Sequence, residues 1–137
     1  MNILIIESRY HPEVTDTLVD GATAALEAGG ARFERMSVPG VLEIPAAIAM
    51  AAKSARPYDG YVALGSVTGP HGQIFYAETM RALLTLGTSG LAVGNGIVMA
   101  GDEGTAHDLA QRQDVGGDAG RACLALVIFG ERLGFAR

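Results

Sequence analysis

Four short apolar runs alternate along the chain with longer segments whose apolar residues recur at helical spacing. Residues 3–6 are apolar throughout, a pattern typical of a strand buried on both faces of a parallel sheet, and residues 61–67 are nearly so. Residues 31–38 alternate imperfectly, which indicates an edge strand with one solvated face. The fourth run, residues 91–99, is broken by the glycines at 94 and 96, which indicates a bulge or the close approach of another backbone or a ligand.

Five helices are predicted between and after these strands. The first begins at Pro12, whose fixed φ suits the first helical position, and ends at Gly29-Gly30. The others are placed at residues 46–55, 74–86, 105–111 and 119–133, with a glycine-rich link at 116–117 before the last of them. In that last helix one face carries the apolar residues Ala122, Ala125, Leu126, Phe129 and Leu133.

Because strands and helices alternate, the sequence predicts an α/β fold, a three-layer sandwich with a four-stranded parallel sheet and helices on both faces. The 137 residues suffice for one domain, which we place at residues 1–137. Ligands of such sheets bind at the carboxyl ends of the strands. In this chain those ends are residues 7–11, 37–43, 66–71 and 98–102.

Composition excludes several classes of function. The chain has 10 Lys plus Arg against 15 Asp plus Glu, and a net charge of −5 disfavours binding to nucleic acid or an anionic membrane. One cysteine excludes an intrachain disulfide, and His11, His71 and His107 lack metal-ligand spacing. No apolar run approaches the ~20 residues that span a bilayer, and the first residues do not resemble a signal peptide, so we expect a cytoplasmic protein.

The chain has neither a Walker sequence nor a G-x-S-x-G elbow. The candidate binding and catalytic residues lie instead in four segments at the ends of strands. They are residues 7–11, 38–45, 63–71 and 94–97. Each also has an ordinary structural explanation: a polar loop, an acid that complements a helix dipole, a surface histidine and a strand bulge. We expect Cys123 to be a packed apolar residue and His107 to be solvated.

Taken together, three motifs have the order and spacing of a known family. They are Ser-Val-Pro-Gly-Val-Leu-Glu-Ile-Pro at 37–45, Tyr-Asp-Gly-Tyr-Val-Ala-Leu-Gly-Ser-Val at 58–67 and Gly-Asn-Gly-Ile at 94–97. The chain resembles the lumazine synthases over residues 3–133. The resemblance implies a flavodoxin-like sandwich, assembled as a homopentamer or a multiple of five, with active sites between neighbouring subunits.

The resemblance also implies a transferase of riboflavin biosynthesis. Members condense 5-amino-6-(D-ribitylamino)uracil with 3,4-dihydroxy-2-butanone 4-phosphate through imine formation, loss of phosphate and ring closure, without cofactor or metal. Carried onto this sequence, His71 transfers protons and Tyr10 stacks on the pyrimidine. Glu43 holds the ribityl chain, and Asn95 lines the pyrimidine pocket. The remaining implied substrate-binding residues are Val41, Leu42, Ser66, Val67, Thr68 and the phosphate-binding Arg112.

The chain departs from the family around the phosphate. It lacks about three residues between the third strand and His71, the Arg-Gly-x-Thr stretch whose amides and hydroxyl cradle phosphate at a helix N-terminus. Pro70 adds no amide donor, the family's Lys is replaced at Asp118 or Ala119, and Arg121 is the nearest other cation. We therefore expect weak binding of the phosphate substrate. A non-catalytic paralogue that binds a pteridine-like or flavin-like ligand, or serves as a structural assembly, is the alternative.

Overall fold

A four-stranded parallel sheet forms the middle layer of the molecule. The computed structural model describes residues 1–135. The strands are β1 (Asn2–Ser8), β2 (Arg32–Val38), β3 (Gly60–Val67) and β4 (Val93–Met99), in the spatial order β2-β1-β3-β4. The predicted parallel sheet and the edge position of the second strand are confirmed. β1 beyond its first residue, and all of β3, are buried on both faces, as their apolar runs predicted.

Helices cover both faces of this sheet, so the flavodoxin-like three-layer sandwich is confirmed. They are α1 (Pro12–Ala28), α2 (Ile44–Ala52), α3 (Gly72–Thr88), α4 (Glu103–Arg112) and α5 (Val115–Arg132), with a short 3₁₀ turn at Val41–Glu43 before α2. α1, α4 and α5 share one hydrophobic core with the sheet, and α2 and α3 share the other. α2 begins and ends earlier than predicted, because Pro45 suits the first turn of a helix.

The second strand is more exposed than its alternation predicted. Most of β2 is solvent-exposed on both faces, and Met36 is 52% exposed. The expectation of a single solvated face is therefore wrong. Four of the seven residues of β2 (Arg32, Glu34, Arg35 and Ser37) are polar or charged, so few side chains of this edge strand favour burial on either face.

The fourth strand is continuous, and the predicted break at Gly94–Gly96 is wrong. The parallel register with β3 runs without interruption from Tyr61↔Val93 to Val67↔Met99. Gly94 instead allows the backbone of α5 to approach closely, which was the second interpretation of these glycines. A Cβ built on Gly94 would lie 1.9 Å from the carbonyl oxygen of Ala119 in α5.

The last helix begins earlier than predicted and buries a different face. Residues 116–117 form its first turn and not a link, and a Cβ on Gly116 would lie 1.9 Å from the carbonyl oxygen of Leu18 in α1. Its buried residues are Gly116, Gly117, Ala119, Gly120, Cys123, Leu124 and Val127. The apolar face that the periodicity singled out lies outward, with Phe129 62% exposed. α5 is apolar on two faces, so periodicity alone did not identify the packed one.

Cys123 is packed, as predicted. Its side chain is fully buried between α5 and the sheet, where a Cβ on Gly60 would lie 2.5 Å from the sulfur. Burial raises the pKa of the Cys123 thiol to about 12. The thiol is therefore an inert part of the core.

Candidate functional site

Most of the predicted binding residues meet in one cleft at the carboxyl ends of β1 and β3, which we call the first cleft. Its volume is about 290 Å³. It is lined by Ser8, Tyr10, Gly40, Val41, Leu42, Glu43, Ser66, Val67, Thr68 and Phe75. This is the edge of a parallel sheet where ligands bind. Seven of the ten residues predicted from the sequence lie here: Tyr10, Val41, Leu42, Glu43, Ser66, Val67 and Thr68.

A rigid turn brings the second motif into this cleft. Pro39-Gly40 leads from β2 into the 3₁₀ turn Val41–Glu43, and the Glu43 side chain stands at the N-terminus of α2. Val41 is buried, whereas Leu42 is 47% exposed. Val41 packs against β3, where a Cβ on Gly65 would lie 2.9 Å from its methyl group. The glycine in β3 therefore allows the turn to pack closely against the strand.

Exposed aromatic and aliphatic side chains form the walls of the first cleft. Tyr10 is 69% exposed, and Leu42 and Phe75 are also exposed. Large apolar side chains usually lie in the core, so a group of them around a concave surface indicates a binding site. Flat aromatic faces of this kind suit a planar heterocycle.

Polar groups of the first cleft lie at its base and its rim. Ser66 is buried, and within residues 1–135 its hydroxyl is the side-chain oxygen that is buried without a hydrogen-bond partner. Buried polar groups normally find partners, so this hydroxyl is an unused hydrogen-bonding group. Glu43 contributes an exposed carboxylate at the rim.

A buried charge network below the Tyr10 loop was not anticipated from the sequence. Glu7 is 2% exposed and accepts two hydrogen bonds from Arg35, at 3.0 and 2.9 Å, and one from Arg9 at 2.9 Å. Burial alone would raise the pKa of Glu7, but the hydrogen bonds from Arg35 and Arg9 outweigh it and hold this pKa below its ordinary value. The network ties the residue before Tyr10 to β1 and β2.

The predicted catalytic histidine lies beside the first cleft and is not part of its lining. His71 occupies the N-cap position of α3 and is exposed. Its ring centroid is 6.4 Å from that of Phe75, which does line the cleft. His71 therefore lies next to a residue of the cleft wall, at the end of the shortened loop.

Asn95 lies in a separate cleft, which we call the second cleft. This cleft has a volume of about 350 Å³ and is lined by Tyr76, Asn95, Ile97, Val98, Met99, Leu109, Gln113, Val115 and Asp118. The Asn95 side chain accepts a hydrogen bond from the Ile97 amide at 3.0 Å. Phe75 and Tyr76 are adjacent in α3 but line different clefts, so α3 lies between them. One chain does not bring Asn95 and Tyr10 together.

The charged residues considered for phosphate are engaged elsewhere. Arg112 is exposed at the end of α4, pairs with Asp108 and is not among the residues lining either cleft. Arg121 pairs with both Asp114 and Asp118. Asp118, at a position where the family's Lys is expected, lines the second cleft and gives it a carboxylate instead of an ammonium group.

Two further histidines, His107 and His11, make contacts that the sequence did not predict. His107 lies on α4 as a half-buried residue, and its Nε2 lies 3.1 Å from Thr17 Oγ1, so it is less exposed to solvent than expected. His11, for which the sequence suggested no role of its own, has Nε2 3.0 Å from Thr68 Oγ1 and Nδ1 3.4 Å from Glu103 Oε2. The sequence feature that could have indicated a role for His11 is its position directly after Tyr10, in the segment 7–11.

Across residues 1–135, none of the helices has both the length and the apolar character needed to cross a membrane. In the same part of the chain, no three His, Cys, Asp or Glu side chains are grouped so that they could hold a metal ion.

Comparison with known proteins identifies the family. The family model for 6,7-dimethyl-8-ribityllumazine synthase matches residues 1–129. The chain is 42% identical to the 6,7-dimethyl-8-ribityllumazine synthase of Sphingopyxis alaskensis, over 97% of each chain, and 43% identical to that of Erythrobacter litoralis, over 96% of each. It is also 44% identical to 6,7-dimethyl-8-ribityllumazine synthase 1 of Rhizobium meliloti, over 98% of this chain and 94% of the relative.

These matches define a biosynthetic enzyme on an α/β sandwich. The chain belongs to the 6,7-dimethyl-8-ribityllumazine synthase family.

Proposed function

We propose that the protein condenses 5-amino-6-(D-ribitylamino)uracil with 3,4-dihydroxy-2-butanone 4-phosphate to form 6,7-dimethyl-8-ribityllumazine. The observation that carries this proposal is the convergence of Tyr10, the 41–43 turn and the 66–68 strand end in the first cleft. Tyr10 offers a flat face to the pyrimidine, and Glu43 can accept hydrogen bonds from the ribityl hydroxyls. The family membership favours this enzyme over a non-catalytic paralogue.

The chemistry needs groups that move protons at neutral pH. Imine formation, loss of phosphate and ring closure each transfer protons, and imidazole is the side chain suited to do so. His71, beside the first cleft, is the residue to which we assign this role. Phe75 places its ring next to the cleft wall.

We also propose that a complete site needs two subunits. Asn95 lies in the second cleft, on the other side of α3 from Tyr10, so a site that uses both residues takes one from each of two chains. The exposed apolar residues Met50 on α2 and Leu84 on α3 support association between copies. The expected assembly is a homopentamer or a multiple of five, acting in the cytoplasm. A monomeric mass in light scattering would contradict it.

The decisive experiment mixes both substrates with the protein and follows the lumazine chromophore. The wild-type protein should form it, and His71→Ala should lower turnover by about 10- to 10⁴-fold, the range for a general acid–base group. His107→Ala, which removes a histidine outside the first cleft, is the matched control and should retain activity. Absence of product with the wild-type protein would favour the non-catalytic alternative, and unchanged turnover in His71→Ala would remove this histidine from the mechanism.

A further inference from the structure

The imidazole of His11 connects three segments that are distant in sequence. Its Nε2 lies 3.0 Å from Thr68 Oγ1, in the loop between β3 and α3. Its Nδ1 lies 3.4 Å from Glu103 Oε2, at the first residue of α4. The side chain of His11 is only 13% exposed, whereas that of Glu103 is 51% exposed. The histidine is therefore enclosed between a carboxylate and a hydroxyl.

The direction of the hydrogen bond between His11 and Thr68 depends on which ring nitrogens carry a proton. Nε2 of the ring donates to Thr68 Oγ1 when it carries a proton and accepts from that hydroxyl when it does not. In the form that donates to Thr68 and pairs with Glu103, the ring bears a proton on both nitrogens, and Nδ1 faces the Glu103 carboxylate. The hydroxyl proton of Thr68 is then free to be donated in another direction. Since Thr68 lines the first cleft, that direction includes the substrate space.

We infer that His11 is a positioning residue, held by Glu103, that directs the Thr68 hydroxyl toward a phosphate oxygen of the four-carbon substrate. This inference rests on the proposed function. It answers the shortage of donors around the shortened loop, where Pro70 has no amide proton and Arg112 lines neither cleft. A hydrogen bond to a charged oxygen is stronger than one between neutral groups, so a single well-directed hydroxyl has a measurable effect.

The test separates the two substrates kinetically. Thr68→Val keeps the shape of the side chain and removes the hydroxyl, whereas Thr68→Ser keeps it. His11→Leu removes the ring donor, and His11→Gln keeps a donor at a similar distance. The matched control is Thr17→Val, which removes the hydroxyl beside His107, a second Thr–His pair that lies outside the first cleft.

We expect Thr68→Val and His11→Leu to raise KM for the phosphate substrate by about 10-fold or more, the effect of losing one hydrogen bond to a charged group. In Thr68→Val, KM for the pyrimidine substrate should change by less than about 2-fold, because a phosphate contact does not touch the pyrimidine. Thr68→Ser and His11→Gln should recover most of the loss. Thr17→Val should match the wild-type protein in both constants.

Three results would overturn the inference: no change in the phosphate KM of Thr68→Val, an equal rise in both KM values of Thr68→Val, or a loss in His11→Leu that Gln does not recover. Circular dichroism establishes that each variant is folded. If Thr68→Val is not, the His11 pair decides by whether His11→Gln recovers the phosphate KM that His11→Leu loses. If the wild-type protein forms no lumazine, the proposed function fails, and calorimetric titration of the phosphate compound decides the inference. Binding at least about 10-fold weaker in Thr68→Val supports it, and equal or absent binding contradicts it.

Discussion

The two faces of the sheet are covered in different ways. On the face of α1, α4 and α5, glycines let backbones come into direct contact, as at Gly94 with Ala119 and at Gly116 with Leu18. On the face of α2 and α3, Met36 and Met50 are exposed, and the first cleft opens there. The first face is fixed by backbone contact that no side-chain rotation can relax, and the second leaves apolar surface for ligands and other subunits.

A glycine exchange on each face tests this contrast most strongly. Gly94→Ala should destabilise the protein by about 3 kcal/mol or more, because the new methyl group would meet the backbone of α5, which cannot move aside as a side chain can. Gly87→Ala in α3 meets no atom within 4 Å and should stabilise by about 0.5–1 kcal/mol, the gain in helix propensity. Urea unfolding at one protein concentration measures both. Equal effects of the two exchanges would abolish the distinction.

The Glu7 network joins the end of β1 to β2 and to Arg9, the residue before Tyr10. Glu7→Gln should destabilise the protein by about 2 kcal/mol at pH 7, since it weakens hydrogen bonds between charged groups. Because the pKa of Glu7 is lowered in the folded protein, its contribution is complete above the ordinary value of 4.5 and is lost as the pH falls through the lowered value.

The difference in stability between wild type and Glu7→Gln should therefore shrink from pH 7 toward pH 3, measured by urea unfolding at each pH. Glu34→Gln, at an exposed carboxylate that accepts from Tyr58, is the control with a smaller effect. A difference that grows on acidification would mean that Arg9 and Arg35 do not hold the carboxylate in its charged form.

The smallest expected effect concerns the reactivity of Cys123, which lies on the face of the sheet covered by α1, α4 and α5. Cys123 is fully buried and its pKa is raised to about 12, so almost no thiolate exists at pH 8. A thiol reagent should leave the native protein unmodified and react fully after denaturation. In a Cys123→Ala background, Asp20→Cys on the exposed side of α1 provides the reactive control. Rapid labelling of native Cys123 would show that α5 separates readily from the sheet.

Local patterns predicted most of the fold and the first cleft. Continuous apolar runs identified β1 and β3, and the residues that follow parallel strands meet at one edge by geometry alone. The two prolines of the segment 39–45 predict a rigid turn that leaves Glu43 at a helix entrance, and the resemblance to the family supplied Val41 and Leu42.

Contacts between distant segments could not be predicted in this way. His11 and Thr68 are 57 positions apart, and Glu7 and Arg35 are 28 apart, so no periodicity records their pairing. The packed face of α5 was also ambiguous, because Cys123 and Leu126 both belong to apolar faces of that helix and only the presence of α1 and the sheet decides between them. The roles assigned to the site residues, both those in the first cleft and His71, Asn95 and Arg112 outside it, stay predictions.

The exposed edge of β2 has a consequence for how copies of the chain avoid unwanted pairing. An edge strand offers unpaired amide and carbonyl groups on which a strand of another molecule can assemble, the first step toward fibrils. β2 carries Arg32, Glu34 and Arg35 among its seven residues, and Arg35 is held in place by Glu7. Charges along such an edge oppose the addition of a further strand, so the arginine that binds the buried Glu7 also protects the open edge of the sheet from further pairing.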